Sequence, residues 1–191
     1  MTDVTVGRRE RKKAATRQAL ADAALKLFLE RGFDAVSVKE VADAADVSTT
    51  TLFKHFPSKE SLVFDRDSAV EQELVSAVRE RSPGQSIPAA LRARMLALTE
   101  PSPQEEPAQA AFIRLIESTP ALHEYGRRMW MRHETALARA IADEIGVPHD
   151  DLLCAALARF ALQSNDLAKG REGIERAFDL LEKGWEAATG P

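Results

Sequence analysis

The chain has 191 residues, one cysteine and a formal net charge of −4, and 45% of its residues are hydrophobic. This length suffices for one or two compact units with real cores, and the single cysteine excludes an intrachain disulfide framework and suits a reducing cytoplasm. No apolar run is long enough to span a membrane, and no apolar segment follows the N-terminal charges, so we expect neither a transmembrane helix nor a secretion signal.

Apolar residues recur with helical spacing along most of the chain, and no stretch alternates with period two for long enough to form a sheet. The sequence therefore predicts an all-α fold of about nine helices. The first helix is predicted from about Glu10 to Arg31, after a disordered tail over residues 1–9. Residues 8–17 hold the densest basic run, which predicts an arm that contacts phosphate or the minor groove of a nucleic acid, although a solvated tail remains an alternative.

Two short helices follow within about twenty residues. Ser37 with Glu40 three residues later forms a capping box, in which each side chain bonds the other's backbone N–H. Ser48 caps the next helix, Leu52 shares its inner face with Phe56, and proline follows at once. Two short helices with a tight break, the second carrying polar and basic groups outward, are typical of a helix-turn-helix, whose second helix fits the major groove.

The run that begins at Thr16, TRQALADAALKLFLERGFDAVSVKEVADAADVSTTTLFKHFPSKESL, resembles the TetR/AcrR family of one-component transcriptional regulators. The match extends over roughly the first third of the chain. Two positions depart from the family pattern: Phe53 stands where a tyrosine is common, and Asp46 stands where the turn usually has glycine. The first departure removes a hydroxyl that often contacts phosphate.

The helix-turn-helix predicts a set of DNA contacts. Threonines at the start of the second short helix are expected to reach base edges, basic residues to contact phosphate, and helix N-termini to lie near the backbone. The predicted contacts are Arg11, Lys12, Ser37, Lys39, Ser48, Thr49, Thr50, Thr51, Phe53, Lys54, His55 and Lys59.

The remaining chain is predicted to be helical. We expect the DNA-binding domain to span residues 10–57, and a ligand-binding and dimerisation domain to span 58–191. The first helix of this second domain, from about Ser58 to Arg81, would link the two. Proline- and glycine-rich breaks at 82–88 and 100–107 separate the next helices.

Apolar residues with a few polar neighbours in the second domain suit a small-molecule pocket, although plain core packing explains any one of them equally well. The family resemblance favours the pocket without identifying its ligand. The candidate ligand-binding residues are Phe112, Ile116, Trp130, His133, Phe160 and Gln163.

The last two helices carry strong apolar faces. In the TetR family such helices usually build a four-helix dimer interface, and a two-fold dimer reads two half-sites where one short helix reads few bases. The resemblance therefore implies a homodimer, and the candidate interface residues are Leu153, Leu157, Phe178, Leu181 and Trp185.

No glycine-rich phosphate loop, nucleophile elbow or Cys/His zinc spacing occurs in the sequence, so we expect no enzyme, no metal and no cofactor. The best-supported function is a ligand-responsive, DNA-binding regulator, most simply a repressor. A helical protein-interaction module that has lost DNA binding is the main alternative, supported by Phe53 and the overall acidity. A small helical enzyme is a third and has no positive support.

Overall fold

The computed structural model describes residues 7–99, 106–167 and 170–190. Within these ranges the protein is all-helical, with nine α-helices, one 3-10 turn and no strand, which confirms the predicted fold class. The helices are α1 (Arg8–Arg31), α2 (Val38–Ala44), α3 (Thr49–His55), α4 (Asp67–Arg79), α5 (Ile87–Thr99), α6 (Glu106–Ser118), α7 (Pro120–Ile145), α8 (Leu152–Leu167) and α9 (Gly170–Thr189), and the 3-10 turn covers Glu60–Leu62.

The described residues form two compact units. The first contains residues 7–65 together with 107–126, and the second contains 66–99, 106, 127–167 and 170–190. The helix-turn-helix segment predicted over residues 10–57 therefore lies in the first unit, which also takes in α6 and the first turns of α7. The second unit holds α4, α5, α8, α9 and the rest of α7.

The core of the first unit is built by the inward faces of its short helices. Ala24 and Phe28 of α1, Val41 of α2 and Leu52 of α3 are all fully buried. Because α2 and α3 have only seven residues each, their own backbone bonds cannot keep them folded in water. Burial of these apolar side chains against α1 therefore provides most of their stability.

The helix predicted from Ser58 to Arg81 begins later than expected. Residues 60–62 form only a 3-10 turn, and α4 starts at Asp67. Ser58 and Ser61 bond each other's backbone N–H groups at 3.2–3.3 Å, which closes a local turn instead of a helix. The carbonyl of Asp65 accepts a hydrogen bond from Arg17 at 2.6 Å, so side-chain contacts hold this segment outside a helical ladder.

The side chain of Phe64, within the same segment, is held by aromatic neighbours in the first unit. Its ring stacks on Tyr125 at 5.2 Å between centroids and meets Phe112 edge-on at 6.4 Å. Gly126 permits this approach, because a Cβ at that position would lie 3.3 Å from the Phe64 ring. A glycine inside a helix costs about 1 kcal/mol, and here close packing of an aromatic ring accounts for it.

The basic arm begins in a helix. The predicted start at Glu10 is two residues late, because α1 starts at Arg8, so Arg8 and Arg9 of the predicted tail are helical. Residues 1–6 of that tail lie outside the described residues. No side chain caps this helix start, and its basic residues from Arg8 to Lys13 are exposed.

The second unit has its own core, formed by α4, α5, α7, α8 and α9. Its largest fully buried side chains include Leu74, Leu91, Leu137, Ile141 and Phe178. Ion pairs join the outer faces of the same helices: Arg79 with Asp143 at 3.1 Å, Arg81 with Glu144 at 2.7 Å, and Arg92 with Asp179 at 3.1 Å. The exposed pairs contribute little free energy, so apolar burial stabilises this unit.

Candidate nucleic-acid interface

The turn between α2 and α3 depends on one residue in a left-handed conformation. Asp46 has φ +53°, the only non-glycine residue with positive φ in the described chain. Aspartate tolerates this conformation better than most residues, because its short side chain adds little steric conflict. The turn is closed by a hydrogen bond of 3.0 Å from the Val47 N–H to the Ala42 carbonyl. This backbone path sets where α3 begins.

Replacement of Asp46 tests the importance of that conformation. We expect Asp46→Ala to lower the free energy of unfolding of the first unit by about 1 kcal/mol, because alanine has a steric penalty in the left-handed region. Asp46→Gly should change it by less than about 0.5 kcal/mol, since glycine adopts the conformation freely but loses more entropy on folding. Urea unfolding followed by circular dichroism measures both.

The matched control is Ala44→Gly, an exposed helical position two residues earlier. There glycine should cost about 1 kcal/mol, because the backbone is right-handed and gains nothing from its freedom. Equal losses for glycine at positions 44 and 46 would contradict the role assigned to Asp46.

The N-terminus of α3 is capped as the sequence predicts. Ser48 Oγ accepts a hydrogen bond from the Thr51 N–H at 3.1 Å and lies 2.9 Å from the Thr51 hydroxyl. On the opposite side Leu52 and Phe56 are fully buried. The helix is therefore fixed from its inner face, and the Ser48 and Thr51 hydroxyls already have partners within the cap.

The outer face of α3 presents Thr50, Phe53 and Lys54 to solvent. Phe53 is 49% exposed although it is a large apolar residue. Thr49 is half-buried. A threonine hydroxyl and methyl, an aromatic ring and an ammonium on one short helix can contact base edges, a thymine methyl and a phosphate. These three residues are the members of the predicted contact set that α3 itself exposes.

Arg17 has a role that the sequence did not reveal. It belongs to the basic run, yet its guanidinium donates hydrogen bonds to the His55 carbonyl at 2.7 Å and the Asp65 carbonyl at 2.6 Å. The same group lies 4.1 Å above the Phe56 ring. Arg17 thus joins α1 to the end of α3 and to the segment before α4. No local sequence pattern predicts these contacts, because the His55 and Asp65 carbonyls lie 38 and 48 residues after Arg17.

The imidazole of His55 is expected to be neutral at physiological pH. Burial lowers its pKa below the ordinary 6.5, and the positive charges of Arg17 and Lys13 lower it further. A neutral ring can still donate one hydrogen bond to a phosphate, but it adds no charge to the interface. Its predicted phosphate contact therefore differs in kind from that of Lys54.

The two remaining predicted lysines make contacts within the protein. The Lys59 ammonium donates a hydrogen bond to the Phe33 carbonyl at 2.5 Å and lies 4.2 Å above the Phe33 ring. Lys39 pairs with Asp43 at 2.6 Å on an exposed face, and that contact raises its pKa. Lys39 can exchange this partner for phosphate at little cost, because exposed pairs are weak. Lys59 would lose two contacts.

The capping box at α2 forms as the sequence predicts. Glu40 Oε2 accepts from the Ser37 N–H at 2.8 Å, and Ser37 Oγ accepts from the Glu40 N–H at 3.2 Å. Bonds from the Ser37 backbone, the Ser37 hydroxyl and Arg31 lower the pKa of Glu40 to about 2. The serine is engaged, but it remains exposed at a helix N-terminus, where phosphate binding is favoured.

The candidate ligand residues are divided between the two units. Phe112 and Ile116 pack against the core of the first unit. Trp130 and His133 lie in the second unit, where the Trp130 ring meets the His133 ring edge-on at 5.2 Å. Phe160 and Gln163 are exposed on α8. Within the second unit, Trp130 and His133 are therefore in direct contact.

An open apolar groove runs along α8 and α9 within the second unit. Of the candidate interface residues, Phe178 is fully buried in the core of this unit, so it has no exposed surface to offer a partner. The other four line the groove, together with exposed apolar residues that the sequence did not single out. The groove is lined by Leu153, Ala156, Leu157, Phe160, Ser164, Leu167, Ala177, Leu180, Leu181, Gly184, Trp185 and Ala188.

The described residues offer no metal site and no reactive thiol. No group of three or more His, Cys, Asp or Glu residues in the described ranges could hold a metal ion. Cys154 is fully buried, and burial followed by contact with Asp151 raises the pKa of its thiol to about 11, so it is a poor nucleophile. Among the residues that the structure covers, no helix is long and apolar enough to cross a membrane.

Comparison with known families agrees with the geometry. A profile described as "Bacterial regulatory proteins, tetR family" matches residues 20–65, and one described as "MftR C-terminal domain" matches residues 85–186. The first match contains α2, the turn and α3 entire. The second contains α5 through α8 and most of α9.

Curated relatives are transcriptional regulators. The chain is similar to the HTH-type transcriptional regulator TcmR of Streptomyces glaucescens, with 36% identity over 152 residues that cover 76% of this chain and 67% of that protein. It is also similar to the putative mycofactocin biosynthesis transcriptional regulator MftR of Mycobacterium tuberculosis, with 29% identity over 146 residues, 75% of this chain and 72% of that protein. These relatives confirm that the chain is not an enzyme.

Solved structures share the fold. The chain is similar to Salmonella enterica GusR with a TM-score of 0.55 and 24% identity, over 91% of this chain and 94% of that one. It is similar to a TetR-family transcriptional regulator from Streptomyces coelicolor with a TM-score of 0.56 and 18% identity, over 94% and 99%. A helix-turn-helix domain followed by a helical C-terminal domain is common to all of them.

Proposed function

Because this chain belongs to the TetR family of bacterial regulatory proteins and carries that family's DNA-binding helix-turn-helix, we propose that it is a ligand-responsive repressor. It binds a palindromic operator as a homodimer and is released by a small molecule. One observation carries the DNA-reading part of this proposal: α3 is fixed by Leu52 and Phe56 on its buried face and offers Thr50, Phe53 and Lys54 on the other.

Two kinds of contact, to phosphate and to base edges, would determine DNA affinity. Lys54 and the exposed basic residues at the start of α1, among them Arg11 and Lys12, supply contacts to phosphate that weaken as salt rises. Thr50 and Phe53 supply the contacts to base edges. Since a hydroxyl and a ring discriminate weakly between bases, operator choice should depend strongly on DNA shape and on the distance between half-sites.

Dimerisation rests on the α8–α9 groove. A monomer that exposes the groove residues Leu167 and Leu180 at 78% and 73% leaves large apolar side chains in water. A contiguous apolar surface of this kind marks an association site. A second copy of the chain is the partner we propose, because two-fold pairing is the commonest assembly and matches a palindromic operator.

Release by a small molecule requires that the effector bind the DNA-competent and the released states unequally. We place the effector in the second unit. Two buried polar atoms of this unit, Arg94 Nε and His133 Nδ1, have no hydrogen-bond partner among the described residues. A regulator of this type would act in the cytoplasm, where the chromosomal DNA lies.

Selection from a random pool of DNA duplexes at about physiological salt tests the proposal. The purified full-length protein should enrich an inverted repeat whose half-sites are about one helical turn apart. Enrichment of single half-sites would contradict the dimer. A failure to retain any DNA at low salt would favour a protein-interaction module instead.

Two substitutions on α3 should separate base reading from phosphate binding. Thr50→Ala should change the preferred base at one position in each half-site, with a loss of about 1 kcal/mol on the selected operator only. Lys54→Ala should weaken specific and random duplexes alike and reduce the salt slope by about one unit per half-site. Fluorescence anisotropy at four salt concentrations measures both.

Lys26→Ala is the control, because Lys26 is an exposed lysine on α1 outside the predicted contact set. It should leave both affinity and slope nearly unchanged. Equal losses on specific and random DNA for Thr50→Ala and Lys54→Ala would contradict this division of roles.

A further inference from the structure

A buried histidine in the second unit is bonded on one side only. His133 of α7 is 0% exposed, and its Nε2 lies 2.7 Å from Asp67 Oδ1 at the first residue of α4. The other oxygen of Asp67 accepts a hydrogen bond from Arg132 at 2.7 Å. An ionised carboxylate can only accept hydrogen bonds, so Nε2 must carry the proton.

The opposite ring nitrogen has no partner. His133 Nδ1 is buried and forms no hydrogen bond with any residue in the described ranges. In the neutral form of an imidazole whose proton lies on Nε2, Nδ1 is a lone-pair acceptor. Nearly all buried polar groups in proteins are paired, and exceptions commonly mark a functional position. This acceptor therefore needs a hydrogen-bond donor, and the described residues do not supply one.

A second unpaired polar atom lies in the same unit. Arg94 of α5 pairs with Glu73 of α4, but its Nε–H is buried and finds no acceptor among the described residues. Asp67 and Glu73, which hold His133 and Arg94, are six residues apart on α4, a rise of about 9 Å. The N-terminal half of α4 thus lies beside two polar atoms that a small molecule could satisfy.

An aromatic side chain also lies against His133. The Trp130 ring meets the imidazole at 83°, and Val70, one turn after Asp67, packs against the core of the unit. A ligand here would gain most of its affinity from apolar contact and its orientation from a polar group. An anionic group has no hydrogen to donate and would face the Nδ1 lone pair, so a charged carboxylate is disfavoured at this point.

We propose that the effector is a neutral, largely apolar molecule with a hydroxyl group, and that this hydroxyl donates a hydrogen bond to His133 Nδ1. The proposal rests on the proposed function, because it assigns the chemistry of the same effector site. It also gives the effector a route to α4: the ring that accepts the hydroxyl is the ring that donates to Asp67. Binding would strengthen or reorient the contact at the first residue of that helix.

A matched pair of probes, 2-naphthol and 2-methoxynaphthalene, tests the donor requirement. The two differ by one methyl group on oxygen, and only the first can donate. Titration calorimetry on the 191-residue chain should find 2-naphthol bound about tenfold more tightly, since a hydrogen bond to a buried acceptor contributes about one such factor. His133→Phe should abolish the preference, because phenylalanine keeps the ring but has no acceptor.

Two controls keep this outcome specific. His123→Phe alters an exposed histidine on the same helix and should retain the tenfold preference. In the wild-type protein, nitrogen NMR of the histidine rings should show one Nδ1 resonance that moves much further at saturation with 2-naphthol than with 2-methoxynaphthalene. That measurement needs no variant, so it decides the matter even if His133→Phe fails to fold.

Equal affinity for the two probes, no binding of either, or an unchanged preference in His133→Phe would overturn the proposal. Failure of the proposed function is separable, because it is measured on the unliganded protein with DNA alone. A wild-type protein that selects an inverted repeat but shows no donor preference would keep its place as a regulator and lose this effector chemistry.

Discussion

Arg17→Ala should lower the free energy of unfolding of the first unit by about 3 kcal/mol and remove specific DNA binding as a consequence. Each hydrogen bond from a charged donor contributes about 1.5–3 kcal/mol, and a cation over an aromatic ring adds about 0.5–1 kcal/mol. Arg17 makes two such bonds and one such ring contact. We take the lower end of these ranges because the side chain is only half-buried.

The loss should reach α3 directly. The His55 carbonyl is at the last residue of that helix, and Phe56, which follows it, is fully buried beneath the guanidinium. Without Arg17, the end of α3 and the carbonyl of Asp65 would lose their link to α1. Thermal unfolding and urea titration measure the loss of stability, and anisotropy with the selected operator measures the loss of binding.

The same substitution discriminates between two roles for a basic residue. If Arg17 served phosphate instead, Arg17→Ala would leave stability unchanged and lower the salt slope of DNA binding. Arg11→Ala, in the exposed arm, should behave in that second way and is the matched control. Arg17→Lys should recover only part of the stability, because an ammonium cannot span two carbonyls as a planar guanidinium does.

Local signals in the sequence predicted the helix-turn-helix well. The Ser37–Glu40 capping box, the Ser48 cap and the stop after His55 each depend on residues within four positions of one another. Their geometry is therefore set by the adjacent chain, and the structure reproduces it. The all-α fold followed for a similar reason, since periodic apolar spacing is a property of each segment by itself.

Several features that the sequence did not reveal involve partners distant in sequence. The helix predicted from Ser58 starts at Asp67, because Arg17, 48 residues earlier, holds the Asp65 carbonyl. The bond from the Lys59 ammonium to the Phe33 carbonyl, 26 residues away, was not predicted either, and the phosphate contact of Lys59 stays a prediction. A long basic side chain has the same pattern whether it points to solvent or to a carbonyl, so sequence alone does not separate these roles.

For the candidate ligand and interface residues, too, local sequence patterns do not predict which unit a residue packs in or whether it is buried. Phe112 and Trp130 share helical, apolar surroundings in sequence, yet one packs in the first unit and the other in the second. Phe178 and Leu180 are both apolar residues of α9, but Phe178 is fully buried and Leu180 is 73% exposed. A stripe of apolar residues indicates that one face of a helix packs against something. Only the packed structure shows which of these residues are buried within the chain and which stay exposed for a partner.

Leu180→Glu should convert the proposed dimer to a monomer while leaving the fold of each chain intact. Leu180 lines the α8–α9 groove and is largely exposed, so glutamate there disturbs little within one chain. In a two-fold interface each substitution appears twice, and an unpaired charge buried between partners costs about 3–5 kcal/mol. Even with partial relaxation, the dimer dissociation constant should rise at least about a hundredfold.

DNA binding should fall with dimerisation, because a monomer engages only one half-site. Sedimentation velocity measures the assembly, circular dichroism checks the fold, and anisotropy with the inverted repeat measures the binding. Ile113→Glu is the matched control: Ile113 is an apolar residue of α6 with 44% exposure, in the first unit, and it does not line the groove. A Leu180→Glu protein that stays dimeric, with an Ile113→Glu protein that dissociates, would move the interface from α8 and α9 to α6.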